Sequence, residues 1–165
     1  MNAKSFYKKS LKIFNKMVTD SPSNIYYEQT ENGFYFTNLD GVVCRFIPNL
    51  NVPQIYKDFM RNADGKMAKH FDLDFSQREE VPATGITAGY LENTDKKVTK
   101  LFSRCGEYAY IQTEYRKIFP DNAVFFIKDN YAPVLVTVRD LEKNTFLPLG
   151  VICPILCRSK FVKYS

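Results

Sequence analysis

Four carboxylates stand close together in the middle of the chain, Asp72, Asp74, Glu79 and Glu80, and such a set can hold Mg²⁺ or move protons in phosphodiester cleavage. That chemistry needs partners which the rest of the sequence does not supply. There is no glycine-rich phosphate loop and no nucleophile paired with a base. His70 is the single histidine, which leaves little for proton transfer near neutral pH. The expectation is a solvated acidic segment on a protein that is not an enzyme. Cysteine chemistry runs out in the same way. Cys44, Cys105, Cys153 and Cys157 are scattered, three of them in apolar surroundings, as suits reduced core thiols. Cys153 and Cys157 stand four apart, but without a second cysteine pair they make no zinc set. No metal and no cofactor is expected.

What remains is electrostatic. The formal net charge is +5, and part of it is concentrated near the N-terminus. Over residues 4–18, at about 100° per residue, Tyr7, Leu11, Phe14 and Val18 form one helical stripe with Phe6 and Met17 beside it. Lys8, Lys9, Lys12 and Lys16 gather on the opposite side. Surface helices usually interleave signs, and this row contains no acidic residue. It offers sequence-independent contact with phosphates; a solvated surface is the plain alternative.

The elements that would carry this row are legible in outline. After "SPSN" come three strand-like runs, "IYYEQT", "GFYFTN" and "GVVCRFI", with Asn32-Gly33 and Asp40-Gly41 as hairpin signals between them. A short helix is expected from Gln54 to about Arg61, inside an irregular insertion at about 51–106. Then "YAYIQ" reads as a strand, Thr113 as the cap of a helix "EYRKIF" and Pro120 as its stop. "AVFFIKD", "APVLVTVRD" and "TFLPLGVICPIL" read as three further strands. Helix, strand, strand, strand thus occurs twice, at about 4–50 and 107–157, with a tail at 158–165. At 165 residues one α+β domain is expected, with two helices on one side of antiparallel sheet. Arg116 and Lys117 would add to the basic surface if both helices lie together. Pro154 belongs at a strand end or edge, because it has no N–H for a ladder.

At this point the run from Tyr110 to Leu156 resembles the C-terminal domain of bacterial DNA polymerase sliding clamps. The matching pieces are Thr113 to Phe119, Ala123 to Asp129, "APVLV" and "VICPIL". The segment from Ser5 to Phe46, with Asn38-Leu39-Asp40 at its turn, is similar to the start of a clamp domain. The resemblance implies double-stranded DNA as a non-specific partner, held through Lys8, Lys9, Lys12, Lys16, Arg116 and Lys117. It also implies an apolar pocket at Val151, Cys153, Pro154, Ile155 and Leu156 that captures short hydrophobic peptides of polymerases or other replication proteins. A ring around DNA would need about six copies of one such domain. A compact interaction protein of the kind a phage encodes, acting as inhibitor, decoy or adaptor of host replication or defence proteins, is the alternative. The lysine-rich N-terminus lacks the apolar core and cleavage site of a signal peptide, and no apolar run approaches the ~20 residues of a membrane span. A cytoplasmic protein is the expectation.

Overall fold

The computed structural model describes residues 2–71, 78–82, 85–156 and 161–163. Asp72, Asp74 and Cys157 lie outside the described residues, as does most of the tail at 158–165. The fold is α+β. Helix α1 (Ala3–Asp20) is followed by a meander of β1 (Tyr26–Thr30), β2 (Gly33–Thr37) and β3 (Val43–Pro48). Asn2 accepts the Ser5 N–H through Oδ1 at 2.8 Å and so caps α1, satisfying one of the amide donors that every helix start leaves open. At the first hairpin, Gly33 is a steric requirement. A Cβ there would run into the Ile47 carbonyl and the Phe46 ring.

The middle of the chain is built into the sheets. A one-turn helix α2 (Gln54–Lys57) and a two-residue strand β4 (Arg61–Asn62) come first, then a 3₁₀ turn (Ala68–Phe71) and β5 (Glu79–Val81). The hairpin β6 (Ile86–Leu91) and β7 (Lys97–Phe102) leads to β8 (Tyr108–Gln112) and the one-turn α3 (Thr113–Arg116). A second meander, β9 (Val124–Ile127), β10 (Val134–Asp140) and β11 (Thr145–Ile152), follows, and β12 (Phe161–Lys163) is last. The order helix, strand, strand, strand therefore stands at α1–β1–β2–β3 and at α3–β9–β10–β11. The two helices are unequal, with eighteen residues in α1 and four in α3. Thr113 does not cap α3. Gln112 holds that position without a side-chain bond, and the Thr113 hydroxyl is instead 2.6 Å from Thr99 Oγ1, tying the helix start to β7.

One sheet of eight strands runs β4-β1-β2-β3-β11-β10-β9-β5. The meanders meet at β3 and β11, where Cys44 faces Val151 and Arg45 faces Gly150 in antiparallel register. The sheet is mixed, where wholly antiparallel sheet was expected, because β4 lies parallel to β1. A second sheet, β12-β6-β7-β8, is antiparallel.

Alternation along the large sheet divides its side chains between two faces. On one face Phe14, Ile25, Tyr27, Phe34, Phe36 and Ile47 form a cluster under α1. Beside it Phe6, Phe119, Phe125, Ile127, Val134 and Leu149 pack with Leu101, Ala109 and Ile111 of the second sheet. On the other face Tyr35, Cys44, Phe46, Phe126, Leu135 and Val151 are covered by Ala63 and Met67. With both faces covered, all five residues of β2 are buried. Glu28 fixes that cover. Its buried carboxylate accepts the N–H groups of Met67 at 3.3 Å and Ala68 at 2.9 Å, where the 3₁₀ turn starts. Among the described residues no helix is long and apolar enough to cross a membrane.

Candidate nucleic-acid interface

Helix α1 buries a stripe centred on Phe6, Ser10 and Phe14, with Tyr7, Leu11, Ile13, Met17 and Val18 half-buried on its flanks. The expected stripe is thus correct in outline but centred one residue away, on a line that contains a serine. The serine has a partner. Arg45 of β3 lies beneath the helix, donates from Nη1 to Ser10 Oγ at 3.2 Å and places its guanidinium 5.4 Å from the Phe6 ring centroid. Burial lowers the Arg45 pKa from its ordinary value, yet an arginine there stays charged. Phe6 also stacks on Phe119 at 5.3 Å between centroids, and the Tyr7 hydroxyl donates to the Pro148 carbonyl at 2.7 Å. The helix is fixed at both flanks.

Lys8, Lys9, Lys12 and Lys16 are all exposed on the outer side. Among the described residues no carboxylate lies within ion-pair distance of any of them; the ion pair found there is Lys96 with Glu114, at 3.8 Å. Lys8, Lys12 and Lys16 recur every turn, so at 1.5 Å per residue they make a row about 12 Å long. Arg116 and Lys117 are placed differently. Arg116 lies over the Phe125 ring at 5.8 Å, half-buried, and Lys117 is exposed. The chain around them does run beside α1, since Tyr115 and Ile118 line one groove with Ile13 and Met17.

The residues expected to form a peptide pocket divide at the end of β11. Val151 is a core side chain. Cys153 donates its N–H to the Val42 carbonyl at 2.7 Å and its thiol to the Gly41 carbonyl at 3.2 Å, and burial raises its pKa. Ile155 donates its N–H to the Tyr110 carbonyl at 2.7 Å, on the outer edge of β8. Pro154 therefore sits where the chain passes from the large sheet to the small one, outside any strand. Both neighbouring amides are satisfied and its own missing donor leaves no gap. Leu156 beyond it is 41% exposed.

The acidic segment gives no converging site. Glu79 and Glu80 are adjacent on β5, so their side chains point to opposite faces. They border an open cavity of about 710 Å³ with Arg104 and Cys105. A hydrogen bond to Glu79 raises the Cys105 pKa, which makes this exposed thiol a poor nucleophile. Burial, with Lys69 and Arg78 nearby, lowers that of His70. Among the described residues no group of three or more His, Cys, Asp or Glu could hold a metal ion. Cys44, Cys105 and Cys153 are free thiols.

Sequence reasoning missed Ser10 and Arg45, and the apolar side chains of Ile55, Tyr56 and Phe59, which are 66%, 49% and 65% exposed. A serine four residues from each of two phenylalanines was a signal for the first pair. Three large apolar residues in "QIYKDF" on a one-turn helix were a signal for the second set. Compared with known proteins, the chain matches no family model, no curated protein and no solved structure.

Proposed function

We propose that the protein attaches to double-stranded DNA without reading its sequence, through the lysine face of α1, and does no chemistry on it. One observation carries the reading: four exposed lysines on a helix fixed from below, with no carboxylate within ion-pair distance of them among the described residues. Cations of that kind displace counterions from phosphates, which gives salt-sensitive attachment compatible with sliding. The order of elements, α1–β1–β2–β3 and α3–β9–β10–β11 joined through β3 and β11, supports a sliding-clamp-like domain as the scaffold. A partner peptide from a polymerase or other replication protein would then dock near Pro154, Ile155 and Leu156. The second reading, an inhibitor, decoy or adaptor that ignores DNA, is favoured by the exposed apolar surface of α2.

A salt titration of binding to random-sequence duplex separates the two. With four phosphates neutralised, the slope of log K against log[salt] is about −3.6, so affinity falls about 150-fold between about 50 and about 200 mM salt. Replacing Lys8 and Lys12 by alanine should bring the slope to about −1.8 and the loss to roughly twelvefold. Absence of binding at low salt, or a slope unchanged in that variant, refutes the DNA reading and leaves the adaptor.

A further inference from the structure

Arg45 is a half-buried charge held without a counter-charge. Burial alone lowers its pKa, and among the described residues no carboxylate lies within ion-pair distance of it. Its Nη1 donates to Ser10 Oγ at 3.2 Å and its guanidinium lies over the Phe6 ring. Among the described residues that is its one hydrogen bond, so Nε and Nη2 have no protein partner. Neither nitrogen is sealed in, because Gln112 Oε1 is the one buried side-chain polar atom left without a partner among the described residues. Taking a guanidinium partly out of water costs free energy, and an anion at its two open nitrogens offsets that cost.

The opening that Arg45 lines is a groove of about 340 Å³. Ile13 and Met17 form its helix side, Phe36 and Val43 its sheet side, and Tyr115 and Ile118 the side of α3 and the turn after it. Thr37, Asn38 and Asp40 are the polar remainder of the lining. A concave apolar wall with a few polar groups to orient the guest is the make-up of a small-ligand site. Nε and Nη2 share one edge of the planar guanidinium, and that edge matches the two oxygens of a carboxylate. Asp40 does not take this place. Its Oδ1 accepts the Val42 N–H at 3.0 Å, and its charge acts on Tyr115 and Cys153, whose pKa values it raises, with no effect on Arg45.

The geometry points to a binding site for an amphipathic carboxylate, whose two oxygens accept from Nε and Nη2 of Arg45 while its apolar body lies against Ile13, Met17, Val43 and Ile118. A free aryl or alkyl carboxylic acid and the C-terminus of a peptide ending in an apolar residue share that chemistry. Lys8, Lys9, Lys12 and Lys16 do not line the groove, so the proposal is independent of the DNA reading.

Isothermal titration calorimetry of the full chain near neutral pH tests it with two pairs of probes. One pair is phenylpropionate and its neutral amide; the other is a short peptide ending in phenylalanine, with a free or an amidated C-terminus. The expected result is a Kd of about 100 μM or tighter for at least one of the two carboxylates. Its amide should bind at least about tenfold more weakly, because the charged hydrogen bonds are lost. Arg45→Met should weaken the carboxylate by a similar factor with the far-ultraviolet circular dichroism unchanged. The amide comparison is made on the parent chain, so it holds even if that variant does not fold. Tighter binding of the free acid assigns the site to a small molecule, and tighter binding of the peptide assigns it to the C-terminus of a partner. The proposal is overturned if neither carboxylate binds with a Kd below about 1 mM. It is equally overturned if the amides bind as well as the acids, or if folded Arg45→Met binds as the parent does.

Discussion

Ser10 and Arg45 decide how firmly α1 is held, and their coupling can be calculated before it is measured. Ser10 is fully buried and its Oγ accepts the Arg45 Nη1 donor at 3.2 Å. In Ser10→Ala the guanidinium keeps its place against Phe6 but loses that acceptor in a half-buried site. A hydrogen bond to a charged group contributes ~1.5–3 kcal/mol, and the partial access of Arg45 to water puts the loss at the lower end, about 1.5 kcal/mol. For a chain of this length that lowers Tm by about 3–6 °C. Arg45→Met behaves otherwise. It removes the same hydrogen bond and a cation–π contact of ~0.5–2 kcal/mol, but it also removes the cost of holding a charge under the helix, so its net effect stays within about 1 kcal/mol of zero. With Met at position 45, Ser10→Ala has no cation left to orphan and should cost almost nothing. The double-mutant cycle therefore closes with a coupling of about 1–2 kcal/mol. The chain has no tryptophan and eleven tyrosines, so urea unfolding is followed by tyrosine fluorescence and circular dichroism together. Additive effects in the cycle, or a Ser10→Ala variant as stable as the parent, would show that Arg45 does not fasten the helix.

Two further outcomes follow from other contacts. Glu28→Ala leaves the Met67 and Ala68 amides without their acceptor in the buried cover of the large sheet, and should destabilise the fold by about 2–3 kcal/mol in urea unfolding, whereas Glu28→Gln retains one acceptor oxygen and should lose less. At Cys105 the sign comes from Glu79, whose hydrogen bond and charge hold the thiol above its ordinary pKa. Glu79→Gln removes the charge, lowers that pKa and should raise the rate of iodoacetamide labelling at mildly alkaline pH, read by mass spectrometry. An unchanged or slower rate would remove Glu79 as the cause.

Much of the local architecture was written in short-range pattern. The 3.6-residue spacing of Tyr7, Leu11, Phe14 and Val18 marked α1, though one residue off its buried line, and Asn32-Gly33 and Asp40-Gly41 marked the hairpins of β1, β2 and β3. The run from Ala132 to Leu156 gave β10 and β11. Pro154 was legible as a strand exit, because a residue without an N–H has few places in a sheet. Side-chain periodicity and turn chemistry act within a few residues, so sequence carries them directly.

The sequence by itself thus determined an α+β chain with a lysine-faced N-terminal helix and two groups of three strands. Only the tertiary structure decided which strands meet. The pairing of β3 with β11 joins residues about a hundred positions apart, and it is chosen by how both sheet faces become covered at once, which no local window contains. The same long-range choice put Arg45 under Ser10, Glu28 at the start of the 3₁₀ turn and Ile155 on the edge of β8. It also left Ile55 and Phe59 in water, while Val52 and Met60 on either side of them are buried in the core.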